Sequence, residues 1–209
     1  MVVASNRDRR AERREATRAE ILEAAWALAR QQGLAGLSLR DVAARVGMRP
    51  PSLYWYFDSK HAIYDAMFAE GNRELLHLVE AEDWPEDPRE LLRKMARLFV
   101  EFSAADPARS QLMFQRTIPD FAPSAESYAL AIQVIDKSRA SFASIGLAEP
   151  FHFDLWTALV SGLASQQLAN DPGGDRWLRL VDEAVDMYAD HVLVGSEHTA
   201  DSQPRGKKR

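Results

Sequence analysis

The sequence predicts an all-α protein of about nine helices, on three observations. Apolar residues recur at three- and four-residue spacing along most of the chain. β-Branched residues are sparse, and two-residue alternation never persists. Prolines and short polar residues punctuate the chain where helices should start.

The elements follow in order. The first helix is expected over 16–32, with Ile21, Ala24, Ala25 and Leu28 as its apolar stripe and Gly33 as the left-handed residue that ends it. Ser38 opens a short second helix, and Asp41 completes a capping-box-like pair. Leu39, Val42, Ala43 and Val46 form its buried face, and Gly47 ends it. A third short helix over about 50–56 starts on Pro50 and Pro51, which suit a first turn where N–H groups have no partner anyway. Ser59 caps a long fourth helix reaching about residue 82. Asp87-Pro88-Arg89-Glu90, Asp106-Pro107 and Pro123-Ser124 start three more. Pro150 begins a helix through residue 169, and the turn 171–174 leads to a last one over about 175–194.

Composition narrows the function. The 209 residues are 46% apolar and 27% charged, enough for one or two folded domains. The longest unbroken apolar run, 24–29, is far short of the roughly 20 residues of a membrane span. The N-terminus has no apolar stretch of secretory type, so a cytoplasmic location is expected. The absence of cysteine excludes disulfides, zinc ribbons and thiol catalysis. Charge is uneven: residues 1–60 hold 11 Lys/Arg against 7 Asp/Glu, whereas 61–195 hold 11 against 22. One end of the chain therefore suits a polyanion and the body does not, unless the clustering is only solvated charge.

Residues 38–60, SLRDVAARVGMRPPSLYWYFDSK, carry the most information. Two short helices around the tight turn Val46-Gly47-Met48 have the form of a helix-turn-helix. Its second helix enters the DNA major groove with its N-terminal residues against base edges. Arg49 stands there, able to fork onto guanine O6 and N7. The rings of Pro50 and Pro51 can meet a thymine methyl, and Ser52 can donate to a base or phosphate. Tyr54 and Tyr56 are expected on the outer face, Leu53 and Phe57 on the inner one. Trp55 is divided between groove contact and packing.

The run Leu53-Tyr54-Trp55-Tyr56-Phe57-Asp58-Ser59-Lys60, preceded by Gly47 and the helix ending at Val46, resembles the DNA-binding domain of the tetracycline-repressor (TetR) family of transcriptional regulators. The resemblance covers about residues 16–68. It implies phosphate contact at Thr17 and Lys60, a groove-edge contact at Arg40, a homodimer, and a ligand pocket in a variable C-terminal domain. Arg49 and the tandem proline depart from the family's usual choices and leave the preferred operator open. The implied organisation is a basic N-terminal arm over 1–15 without regular structure, a helix-turn-helix domain over 16–62, a helical ligand-binding and dimerisation domain over 63–195, and a disordered basic tail over 196–209. In the arm, Arg7, Arg9, Arg10, Arg13 and Arg14 suit the duplex backbone or minor groove, but Asp8, Glu12 and Glu15 interleave, and a solvated tail fits equally.

For the homodimer, Leu155, Leu159, Gly162, Leu163 and Gln166 share a face of the penultimate helix, among small residues that allow close approach. Trp177, Val181, Val185 and Tyr188 lie on the last helix's apolar stripe, so the two helices together are expected to form a four-helix interface. For the ligand, Phe99, Phe102, Met113, Phe114, Tyr128 and Trp156 supply apolar walls, with Gln115, Arg116 and His152 as possible anchors. The same spacing also suits plain core. No two of the five histidines stand four apart, and no phosphate-loop or nucleophile-elbow motif occurs, so no metal, cofactor or enzymatic role is expected.

The function expected is a ligand-responsive regulator, a repressor that binds a palindromic double-stranded operator as a homodimer and is released by a small, mostly apolar inducer. The acidic body weighs mildly against an anionic inducer. An activator of the same fold, or a helical small-molecule-binding or enzymatic domain without specific DNA function, are the alternatives.

Overall fold

The computed structural model describes residues 2–200, with side chains described over 9–193. The described residues form nine α-helices and one 3-10 turn, with no strand. They pack as two compact units, one of 2–77 with 106–132, the other of 78–105 with 133–200. No helix among the described residues is long and apolar enough to cross a membrane.

In the first unit, α1 (Val2–Gly36) starts well before the expected residue 16, so the arm over 1–15 is helical from Val2. Alanine, arginine and glutamate dominate that stretch, and all are strong helix formers. Gly33 takes φ 77° and breaks the helical geometry where expected. α2 (Leu39–Arg45) starts on Ser38, whose Oγ accepts from the Asp41 N–H at 3.2 Å. α3 is only Pro50–Leu53, shorter than expected, and the chain tightens after it into three-residue turn bonds, from the Trp55 N–H to Ser52 and from the Tyr56 N–H to Leu53. α4 (Lys60–Ala81) opens with the Ser59 hydroxyl accepting from Ala62 N–H at 3.0 Å.

The core of this unit gathers Ile21, Ala25, Val42, Leu53, Phe57, Ile63, Tyr64 and Met67, all nearly or fully buried. α6 (Pro107–Phe114) joins it through Ala108 and Leu112, capped by Asp106 on the Arg109 N–H at 3.1 Å. Gly71 of α4 allows the closest approach, since a Cβ there would stand 2.6 Å from the Met113 sulfur.

In the second unit, α5 (Pro88–Ala105) begins as the sequence implies, with Asp87 accepting from the Glu90 N–H at 2.9 Å. It packs with α8 (Pro150–Asn170) and α9 (Val181–Ala200) around Leu92, Val100, Phe142, Trp156 and Val185. α7 (Ala125–Ser144) brings Phe142, whose ring meets Phe153 and Trp156 edge-on at 5.4 and 5.5 Å. The last helix starts later than residue 175, after a 3-10 turn at Leu178–Leu180. Buried Gln167 explains the delay: its Oε1 accepts from the Trp177 N–H at 2.9 Å and its Nε2 donates to the Gly174 carbonyl at 3.0 Å, tying the intervening loop to α8. α9 itself runs to Ala200, so the first part of the expected tail 196–209 is helical and 201–209 lie outside the described residues.

Charge joins α5 to α9. Arg89, Arg93 and Arg97, one helical turn apart, face Asp190, Asp186 and Asp182 in antiparallel register. Arg93 grips Asp186 with two nitrogens, at 2.8 and 2.6 Å. Hydrogen bonds from Arg93, then from Arg89, hold the Asp186 carboxyl below the usual carboxylate range. A depressed native pKa means that the stabilisation is complete above about pH 4 and is lost as pH falls through the lower native value. Asp186→Asn should therefore lower the denaturation midpoint at pH 7 and remove part of the acid-side loss of stability. Denaturant melts from pH 7 to pH 3 check this, and parallel profiles for the two proteins count against the clasp.

Candidate nucleic-acid interface

The interface is built from a helix too short to stand alone. One turn of helix is unstable in water, because nucleation fixes several dihedrals for a single hydrogen bond. α3 is held instead by its neighbours. Leu53, fully buried, and Phe57, 2% exposed, anchor it from below. The preceding turn is closed by the Met48 N–H donating to the Ala43 carbonyl at 2.8 Å, with Gly47 at φ 69°. α1 clamps the following turn from the side. The Arg18 guanidinium donates to the Tyr56 carbonyl at 2.6 Å and lies 4.3 Å over the Phe57 ring. Arg14 reaches the Trp55 carbonyl at 3.5 Å.

What remains outward is the set the sequence singles out. Arg40, Arg49, Pro50, Pro51 and Ser52 are exposed. Tyr54 is 55% and Trp55 82% exposed, large aromatic surfaces to leave in water without a partner. Tyr56, also expected on the outer face, is half-buried and packs against the core. Lys60 donates to the Ala35 carbonyl at 3.2 Å and lies 5.4 Å from the Tyr64 ring, so it fastens α4 to the end of α1. Thr17 is half-buried and its hydroxyl proton is engaged by the Arg13 carbonyl at 3.0 Å. Arg14, Arg18 and exposed Arg45 are absent from the residues chosen by motif. The spacing of Arg14 and Arg18 on the face of Ile21 is the signal that could have found the clamp.

The geometry defines a class: a helix-turn-helix DNA-binding protein, its recognition helix seated on a three-helix core and its outer residues free to reach a groove.

The other residues fare differently. Val181, Val185 and Tyr188 are at most 5% exposed and belong to the second unit's own core, which corrects their expected place on an interface. Burial raises the Tyr188 pKa to about 12, and its hydroxyl donates to the His152 carbonyl at 2.8 Å. Leu163 is also buried, whereas Leu159 and Trp177 are half-buried. On α8, Leu155, Gly162 and Gln166 stay exposed, and Phe151, 56% exposed, extends their row. The apolar set divides: Phe99, Phe102 and Trp156 lie in the second unit, Met113, Phe114 and Tyr128 in the first. Met113 packs against Gly71, and Phe114 and Tyr128 are 42% and 49% exposed. Of the polar anchors considered, Gln115 and Arg116 are exposed and His152 is half-buried.

A cleft of about 560 Å³ in the first unit is lined by Trp26, Arg30, Glu70, Arg73, Glu74 and Arg109, among others. It is polar: Trp26 Nε1 donates to Glu70 at 2.6 Å, and Arg109 pairs with Glu74 at 2.5 Å.

Comparison with known proteins agrees with this class. Residues 21–67 match the family model described as "Bacterial regulatory proteins, tetR family". The HTH-type transcriptional repressor Rv1353c of Mycobacterium tuberculosis is 29% identical over 143 residues, 67% of this chain and 52% of that protein. The chain thus spans about half the length of that curated relative. The class A tetracycline repressor from transposon 1721 of Escherichia coli is 40% identical over 47 residues, 22% of each chain. A solved structure of the TetR-family regulator PfmR from Thermus thermophilus superposes with a TM-score of 0.62 at 20% identity, covering 80% of this chain and 96% of that one, and so speaks for the fold. The chain thus resembles the TetR family of bacterial regulatory proteins over residues 21–67, its helix-turn-helix segment.

The turn supplies a stability test. A Cβ at Gly47 meets nothing within 4 Å, so the cost of substitution is backbone strain alone. Gly47→Ala should destabilise by about 1–2 kcal/mol, and Gly47→Asn by less, because asparagine tolerates the left-handed region. Denaturant melts that rank alanine no worse than asparagine would reject the strain account.

Proposed function

We propose that the chain is a homodimeric repressor that reads a palindromic operator with its paired α3 helices and lets go when a small, mostly apolar molecule binds. The observation that carries this is the outward surface of α3 and its flanking residues: Arg49, Ser52, Tyr54 and Trp55 exposed above a core that holds the helix still. Such a face matches the requirement of base readout, which needs donors and apolar edges at a rigid register. The repressor name of the mycobacterial relative supports the sign of regulation. DNA lies in the cytoplasm of a bacterium, and that compartment is proposed with the function.

The tetracycline repressor shares only 47 residues with this chain, so it lends support to DNA reading and none to tetracycline as the inducer. An apolar inducer is proposed from the Phe, Met and Trp content of the helices after α4. Its action requires a difference in affinity between the operator-binding state and another state; equal affinity shifts nothing.

Footprinting on the DNA beside the protein's own gene, with a scrambled duplex as control, tests the reading. The expected result is a protected palindrome with half-site centres about 34 Å apart. Arg49→Ala should cost about 1–3 kcal/mol and relax preference at a single base-pair position. Uniform protection of both duplexes overturns the proposal.

The dimer is proposed to form through the exposed row of α8 from Phe151 to Gln166. Gly162 lies open there, with no atom within 4 Å of a built Cβ. Gly162→Arg should leave the subunit folded, since arginine favours helix over glycine by nearly 1 kcal/mol. Sedimentation should then show a monomer and operator affinity should fall. A dimer of unchanged strength rejects α8 as the interface.

A further inference from the structure

α1 reaches far beyond the domain it serves. Its first fully buried residue is Ile21, and the helix begins at Val2, roughly 28 Å earlier along its axis. Sequence alone leaves this stretch ambiguous, because acidic and basic residues alternate. The helix resolves the ambiguity by turning about 100° per residue. Arg10, Arg13, Arg14 and Arg18 stand at spacings of three and four and so fall on one face. Glu12 falls on the opposite face, and Glu15 lies at its edge, about 60° around the axis from Arg18.

Which way the basic face points is fixed by two contacts. Arg14 and Arg18 donate to the Trp55 and Tyr56 carbonyls, at the C-terminal end of the recognition element. Arg10 and Arg13 therefore continue the same face past that end, and both are exposed. Their row thus leads on from the point where α1 meets exposed Trp55. A line of guanidiniums on a rigid rod complements the regular row of phosphates along a duplex edge.

We propose that the N-terminal part of α1 is a phosphate-binding arm, with Arg10 and Arg13 lying on the DNA backbone that flanks the groove entered by α3. The proposal rests on the DNA-reading role proposed above and extends its footprint. The arm carries affinity and register, and base identity stays with α3.

The test uses the full chain and a fluorescein-labelled duplex of mixed sequence, about 40 base pairs long, read by anisotropy across salt concentrations. Each phosphate contact contributes about 0.9 to the slope of log affinity against log salt. Arg10→Gln with Arg13→Gln should lower the slope by about 1.8, so the affinity lost between 50 and 200 mM salt shrinks about 12-fold. Glutamine favours helix nearly as well as arginine, and circular dichroism checks that the helix persists. Glu12→Gln with Glu15→Gln should leave the slope unchanged. A wild-type slope in the arginine variant overturns the arm while DNA binding by the wild type stands. Equal and opposite shifts in the two variants also overturn it, because they mark bulk charge rather than contact. A wild-type chain that binds no duplex at low salt overturns the arm together with the DNA-reading role.

Discussion

The burial of Leu53 and Phe57 is the constraint on which the rest depends. α3 has four residues and cannot hold its own shape. Leu53 at its end and Phe57 in the turn that follows sink into a core shared by α1, α2 and α4. Everything that faces outward, from Arg49 to Trp55, inherits its position from that burial. The tandem proline contributes from the other side, since it fixes φ at two positions and lowers the entropy lost on ordering the turn. Rigidity of this kind suits a reader of base edges, where an error of an ångström loses a bidentate hydrogen bond.

The Arg18 clamp shows how a polar contact serves the same end. A carbonyl in the turn that follows a one-turn helix has no partner within that helix. Arg18 satisfies the Tyr56 carbonyl and covers the Phe57 ring with the same planar group. Lys60 does likewise for the Ala35 carbonyl at the end of α1. Two cations that a motif reading assigns to DNA, or overlooks, thus spend hydrogen bonds on backbone carbonyls. Lys60 retains donors for a phosphate, because an ammonium has three protons.

Local signals were legible in the sequence and non-local ones were not. Ser38, Asp87, Asp106 and Gly33 were readable because a cap or a left-handed residue acts within a few positions of itself. The inward pair Leu53 and Phe57 was readable by period. The short end of α3 was not, because the chain there passes into turn bonds three residues apart, which periodicity does not distinguish from helix. The last helix misled for a different reason. An apolar stripe reports burial without saying what it is buried against, and Val181, Val185 and Tyr188 meet their own subunit. The Gln167 side chain that shapes the loop before α9 bonds to groups up to eleven residues away, beyond any capping pattern. For the apolar set from Phe99 to Trp156, spacing marked helices and said nothing about which unit each joins.

Charge is sorted at two scales, and the second explains the first. Along the chain, basic residues gather before residue 60 and acidic ones after it. Among the described acidic residues of the second unit, Asp182, Asp186 and Asp190 are matched by arginines of α5, so part of that negative excess is neutralised within the fold. Within α1 the same sorting occurs around the helix axis, with Arg10, Arg13, Arg14 and Arg18 on one side, Glu12 on the other and Glu15 at the border beside Arg18. A count of residues over 1–15 mixes the two faces and yields a weak excess. The face that meets Trp55 and Tyr56 carries the basic residues alone. A polyanion responds to the local field within about 10 Å, the screening length at moderate salt, and so meets this face rather than the sum. Helical structure in the arm is what turns an indifferent composition into a directional surface.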